Sequence, residues 1–276
     1  MDRKAIARET LRIMEQGYYE RNGQRVDIDN LQKASIEKSF LLTPEEGEVL
    51  IKDCETINKQ TEKKTVVLTL NCSTVDAILK LKDEGKQVAV LNFASAKNPG
   101  GGFINGAMAQ EESLAASSSL YETLLAHEDY YIINRACKTM VYTNHAIYSP
   151  DVPFFRDGRF RLMESLVLAS VLTLPAVNMG QVKLKGEDVE EAEKAMRHRM
   201  KLALAIFAHQ NCRHLVLGAY GCGVFRNDPE KIALWWKELL DNDFKNVFDT
   251  IFFAVLDRSA TENCIRPFQS IFDDHR

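Results

Sequence analysis

Asn92–Tyr121, NFASAKNPGGGFINGAMAQEESLAASSSLY, leaves an apolar run, turns through three consecutive glycines and then enters a helical pattern. The residues before the glycines, QVAVLNFA (87–94), read as a buried strand, and the spacing after them predicts a helix at about 109–126. A glycine run at such a junction lets the backbone approach a ligand closely. Without a Cβ the chain reaches φ > 0, and bare N–H groups can point at an anion. Seven residues separate Gly102 from Gln110-Glu111-Glu112. A phosphate cradle and an acid group therefore share one cleft, at the carboxyl end of a strand, where open α/β sheets bind their ligands.

Outward from this stretch the pattern alternates. TVVLTL (65–70), STVDAILKLKDEG (73–85) with its serine cap and closing glycine, and QVAVLNFA read as strand, helix, strand, which implies a sheet covered on both faces. After the helix at 109–126, HAIYSPDVPFFRD (145–157) carries two prolines and is expected to be a strand end plus loop. LVLASVLTL (166–174) is taken as a buried strand. Val189, Ala192, Met196, Met200, Ala203 and Phe207 recur at spacings of three and four and predict a helix over 187–210. A strand at His214–Gly218, a loop at 219–228, a helix at Glu230–Leu240 and a strand at Phe248–Leu256 follow.

Ahead of residue 65, Ile6, Ala7, Leu11 and Met14 suggest one packed face of a helix over 3–16. Asn22-Gly23 suits a two-residue hairpin turn. Thr43-Pro44-Glu45-Glu46 is a helix start with cap, N1 proline and acids against the dipole, so a helix should run to about Asn58. With no repeat or linker, the expectation is one domain: an N-terminal helical accessory region (1–64) and an α/β core (65–276).

The 276 residues suffice for one large core. A net charge of -4 and a pI near 5.9 argue against a protein that grips nucleic acid through its phosphates. A polyanionic ligand would have to be met by backbone amides and local basic groups. Six scattered cysteines without a CxxC pair read as reduced thiols, hence an intracellular protein, cytoplasmic or nuclear. The charged, amphipathic MDRKAIARETLRIM does not read as a signal peptide. The longest apolar run, Leu166–Val177, is too short to span a bilayer.

Acids in a first helical turn commonly serve the helix dipole, and the glycine loop beside Glu111 and Glu112 is what raises a chemical role. Adjacent residues on a helix project about 100° apart, so they cannot flank one bond from opposite sides as paired glycosidase carboxylates do. One glutamate must handle the proton while the other orients, and Gln110 reads as a structural hydrogen-bonder. In the second loop, LGAYGCGVFRNDP (217–229), Gly221, Cys222, Gly223, Val224 and Phe225 sit between a strand and a helix capped by Asp228-Pro229. By itself this is a tight strand-to-helix turn. His209, Cys212 and His214 straddle a helix end and a strand start without a fourth ligand, so no metal site is expected. Tyr18, Tyr19, Trp235 and Trp236 read as packing, and Arg226 as meeting either a phosphate or solvent.

Three glycines, a short spacer and Gln-Glu-Glu, in the context NFASAKNPGGG and QEESLAASSSLY, resemble the signature of poly(ADP-ribose) glycohydrolases of the microbial type. LGAYGCGVFRNDP resembles that family's other ligand loop, and the likeness runs to about Asp257. The resemblance implies a macrodomain-like three-layer α/β/α sandwich with a mixed central sheet. It implies hydrolysis of the ribose–ribose O-glycosidic bond of poly(ADP-ribose), acting on the chain terminus, with ADP-ribosylated proteins as substrates and neither cofactor nor metal. Glu112 would be the acid/base and Glu111 the holder of ribose hydroxyls. Asn98 would contact the terminal ribose. Gly100, Gly101 and Gly102, with Gly221, Cys222, Gly223 and Val224, would cradle the diphosphate, and Phe225 would wall the terminal ribose. Neither a membrane nor a sequence-specific nucleic acid is an expected partner. Three rivals are a non-catalytic ADP-ribose reader, a hydrolase of mono-ADP-ribose on protein or DNA, and a nicotinamide-dependent oxidoreductase. The last lacks the GxGxxG that a dinucleotide fold needs after its first strand.

Overall fold

The computed structural model describes residues 2–56 and 63–273. Helix α1 (Arg3–Gln16) is capped by the Asp2 side chain, which accepts the Ala5 N–H, and ends at Gly17 in the left-handed conformation. Strands β1 (Tyr18–Arg21) and β2 (Gln24–Asp27) form a hairpin about Asn22 and Gly23, both at positive φ as the dipeptide predicts. After α2 (Asp29–Lys38) and β3 (Phe40–Leu42), α3 (Pro44–Thr56) opens on a reciprocal box. Glu46 accepts the Thr43 N–H at 2.8 Å and Thr43 Oγ1 accepts the Glu46 N–H at 3.3 Å. The expected end of this helix near Asn58 lies outside the described residues.

The alternating part follows as β4 (Val66–Leu70), α4 (Thr74–Asp83), β5 (Val88–Ala94), a 3₁₀ turn (Phe103–Asn105), α5 (Gln110–Ser117), α6 (Leu120–Leu125) and α7 (Glu128–Ala136). It continues with β6 (Ala146–Arg156), β7 (Leu162–Pro175), α8 (Met179–Lys185), α9 (Val189–His209), β8 (His214–Leu217), α10 (Pro229–Asp241), β9 (Thr250–Ala254) and α11 (Arg266–Phe272). Seven strands form one mixed sheet in the order β3-β6-β7-β5-β8-β9-β4, parallel from β7 to β4 and antiparallel at β3 and β6. The edge strand β3 comes from the N-terminal region. Alternation along β5 divides the core: Ala89 and Leu91 face α9 and α10, while Val88 and Val90 face α4 and α6. The result is the three-layer α/β/α sandwich expected.

Two expectations change. The helix over 109–126 breaks at Ser118, which turns extended and bridges Phe154 of β6. Its hydroxyl donates to the Leu114 carbonyl at 2.7 Å and accepts the Leu120 N–H at 3.2 Å. The serine side chains thus offer the backbone an alternative to helix. Residues 145–157 are not a strand end plus loop but contain the whole of β6, an inner strand. Its two-residue excursion, Pro150 and Asp151 (φ 49), is taken up as a bulge between Ser149 and Val152.

Candidate active site

The site lies where β5 parts from β8. Their pairing stops at Val90–Val216, although β5 continues to Ala94. Gln110 fills the seam: its Oε1 accepts the Phe93 N–H at 2.9 Å and its Nε2 donates to the Leu91 carbonyl at 2.8 Å. The residue expected to be a structural hydrogen-bonder thus completes a ladder that would otherwise leave buried backbone groups unpaired, and so pins the start of α5 to the sheet. After β5 the chain moves to the β7 side and after β8 to the β9 side, so this seam is a topological switch point.

The glycine loop closes directly on the two glutamates. Gly100 and Gly101 have φ of 62° and 60°, where a side chain is strained. A Cβ on Gly101 would overlap Glu112 Oε1 and lie 3.1 Å from Glu111 Oε2. Glu111 is 3% exposed. Its Oε2 accepts the Ser95 N–H at 2.7 Å and Asn92 Nδ2 approaches Oε1 at 3.4 Å. Burial dominates these bonds and, with the Glu112 charge beside it, pushes the Glu111 carboxyl up to about 8. Glu112 is half-exposed; its Oε1 accepts the Gly102 N–H at 3.0 Å and its Oε2 the Ala109 N–H at 2.9 Å. The paired acids therefore differ sharply in setting, one sealed beneath the loop and one open to the cleft.

Asn98 stands exposed on the loop, where its backbone N–H and that of Lys97 donate to Ser95 Oγ at 3.1 and 3.2 Å. Ser95 is therefore a hub that the sequence alone did not single out, holding both Glu111 and the turn to Asn98. Asn92, which also donates to Thr173 Oγ1 at 3.1 Å, was likewise hidden within an apolar run. Tyr130 and Tyr131 lie buried close to Glu111, their hydroxyls without hydrogen-bond partners among the described residues.

The second loop faces the same seam. Gly221 (φ 73) is wedged against Ala176 and Asn227, whose Nδ2 donates to the carbonyls of Val177 and Gly221 at 2.8 and 3.1 Å. A Cβ on Gly223 would meet nothing within 4 Å, so packing does not explain that glycine. Val224 is exposed. Phe225 is half-buried, its ring centre 6.3 Å from that of Tyr142 and its carbonyl held by the Gly180 N–H at 2.9 Å. Tyr142 itself sits at φ 60, an uncommon conformation for a bulky residue, with Lys97 Nζ 6.0 Å over its ring. Cys222 is half-buried, its Sγ 3.8 Å from the Tyr220 carbonyl. Arg226 is exposed.

The other candidates lie elsewhere. His214 Nδ1 bonds Thr250 Oγ1, and Cys212 Sγ lies 3.4 Å from Tyr148 Oη. No group of three or more His, Cys, Asp or Glu among the described residues could hold a metal. Tyr19 and Trp236 are buried, the latter donating to the Gly218 carbonyl under the second loop. No helix among the described residues is long and apolar enough to cross a membrane.

This geometry has counterparts. Residues 7–157 match the family model for the catalytic domain of microbial-type PARG, poly(ADP-ribose) glycohydrolase. The poly(ADP-ribose) glycohydrolase of Thermomonospora curvata is 38% identical, with a TM-score of 0.93 over 98% of this chain and 99% of that one. The same enzyme bound to the inhibitor ADP-HPD is 38% identical with a TM-score of 0.90, over 97% and 98% of the two chains. The Deinococcus radiodurans glycohydrolase in complex with ADP-ribose is 37% identical, with a TM-score of 0.85 over 91% of this chain and 100% of that one. No curated protein sequence matches the chain. A match over more than half the chain to one catalytic domain, and full-length likeness to its solved members, place this chain in the family of microbial-type poly(ADP-ribose) glycohydrolases.

Proposed function

We propose that this glycoside hydrolase cuts the ribose–ribose O-glycosidic bond of poly(ADP-ribose) at the chain terminus, with Glu112 as both acid and base. The observation that carries the reading is the close approach of Gly101 to both carboxyl groups, where a Cβ would overlap Glu112 Oε1 and crowd Glu111 Oε2, so that an anion cradle and a proton donor share one cleft. A relative with this fold holds ADP-ribose and another the inhibitor ADP-HPD, so the diphosphate is assigned to the amides of Gly100–Gly102 and Gly221–Val224. Phe225 walls the terminal ribose, Asn98 and Glu111 hold its hydroxyls, and Gln110 fixes the helix that carries the acid.

In the first step the protonated Glu112 gives its proton to the leaving 2′-oxygen as the glycosidic C–O bond breaks and the anomeric carbon gains oxocarbenium character. The diphosphate lies near enough to stabilise that cation. Water then attacks the anomeric carbon and returns a proton to Glu112. A ribose enclosed by the glycine loop and Phe225 leaves no exit for further polymer, so ADP-ribose monomers are the product. The unit linked to a carrier protein presents a different leaving group and largely survives.

Labelled polymer incubated with the purified chain, with products resolved by size over time, tests this reading. Monomeric ADP-ribose should appear first. Oligomers ahead of monomers would refute terminal action, and intact polymer with bound ADP-ribose would leave a reader instead of a hydrolase.

A further inference from the structure

In the glycine loop, amides expected to cradle a diphosphate are already engaged within the protein. The Gly101 N–H goes to the Asn98 carbonyl at 3.0 Å, the Gly102 N–H to Glu112 Oε1 at 3.0 Å, and the Phe103 N–H to the Gly100 carbonyl at 3.3 Å. A phosphate entering this loop must therefore displace an internal acceptor. Gly100 and Glu111 are buried, whereas Gly102 and Glu112 are both part-exposed. The Gly101 bond closes the turn itself. Gly102 is the amide that can change partners without unmaking the loop.

We propose that the Gly102 N–H is a catalytic group that alternates between Glu112 and the substrate: in the free chain it caps Glu112 Oε1, and on binding it passes to the diphosphate and uncaps the acid. The inference rests on the diphosphate assignment above. Its chemical consequence follows from geometry. While both oxygens of Glu112 accept backbone N–H bonds, from Gly102 and Ala109, neither oxygen is free to meet the leaving group. Transfer of the Gly102 N–H to a phosphate removes one of those bonds and sets a second anion beside Oε1. Oε1 is then open to the leaving 2′-oxygen. The Ala109 N–H keeps Oε2 in place, so the carboxyl stays oriented. A riboside without a diphosphate would leave Glu112 capped, which makes the phosphate a condition for turnover and not only a handle for binding.

The sequence supplies a direct test. Only Gly101 and Gly102 follow another glycine, so labelling glycine with both ¹⁵N and ¹³C-carbonyl selects two amides from the whole chain. Glu112→Gln and Glu112→Ala identify which of the two is Gly102. Addition of ADP, which carries the diphosphate but no terminal ribose, should shift the Gly102 amide in the wild-type chain. By calorimetry Glu112→Ala, which removes the competing acceptor, should bind ADP about three- to tenfold more tightly than Glu112→Gln, which removes only the charge, as befits one hydrogen bond. ADP binding with an unmoved Gly102 amide, or equal affinity for the two variants, overturns the exchange while leaving the diphosphate site intact. Failure of ADP to bind any form overturns the diphosphate assignment itself.

Discussion

The Thr10 hydroxyl donates to the Ala116 carbonyl at 2.7 Å, tying the first helix of the chain to the helix that carries both glutamates. Arg156, 2% exposed, holds the other side of this link. Its Nε reaches Thr10 Oγ1 at 3.3 Å, its Nη1 the Phe160 carbonyl at 2.9 Å, and its Nη2 pairs with Glu9 at 2.6 Å. Ala7 packs with Phe103, Ala115 and Ala116, and Phe103 lies directly under Gly100. Residues far from the signature thereby brace the glycine loop from below.

Thr10→Val keeps the shape of the side chain and removes the hydroxyl, leaving the Ala116 carbonyl and the Arg156 Nε short of a partner. A loss of about 1–3 kcal/mol is expected in urea unfolding, with Thr10→Ser recovering most of it. Equal stability of the three chains would show that α1 is held by its apolar face alone.

Glu111 makes stability fall with rising pH. Its folded pKa, near 8, exceeds the ordinary 4.5, so the folded state holds a proton that the unfolded chain has lost. The contribution is neutral below about pH 4.5, is lost progressively up to about pH 8, and leaves a deficit of ~3–5 kcal/mol above that. His127, His145 and His214, shifted down mainly by burial, act oppositely toward acid, so the difference between wild type and Glu111→Gln is the quantity to follow. Unfolding midpoints from pH 5 to 9 should show the variant gaining on the wild type as pH rises. Parallel curves would place Glu111 in a better-solvated setting.

Glu112→Gln keeps size and hydrogen bonding but removes proton transfer, and single-turnover rates should fall ~10²- to 10⁴-fold while ADP-ribose still binds. Glu111→Gln should retain more activity, since an amide oxygen can still accept a ribose hydroxyl. A dead Glu111→Gln beside an active Glu112→Gln would reverse the two roles.

Phe225→Ala removes a ring that stands half-buried against Tyr142, outside the deep core, so the fold should survive. A terminal ribose free to drift loses alignment with Glu112, and kcat should drop by up to ~10²-fold with less effect on KM. Wild-type kinetics would remove the second loop from the reacting end of the ligand.

The sequence by itself determined the alternation of strands and helices, because periodicity and caps act over a few residues. Asp2, Ser73, Asp188 and Asp228 each cap the helix they precede, and Asn22-Gly23 turns its hairpin. It also determined the family, since GGG, QEE and the second loop are contiguous strings whose order survives in one dimension. Tertiary structure alone decided how those strings meet. That Gln110 would mend the seam between β5 and β8, or that Ser95 would bind Glu111, depends on which strands are neighbours and where their pairing stops. The two glutamates look alike in sequence, and burial separates them: one carboxyl lies beneath the loop in a medium that disfavours its charge, the other is half-exposed and held by the Gly102 and Ala109 amides. The same holds for β6, whose two prolines argue against an inner strand: a bulge opposite β7 takes up Pro150, while Pro153 keeps its register with Leu168. Local chemistry fixes the elements, but the dielectric and the missing hydrogen-bond partners that make a site are properties of what packs around it.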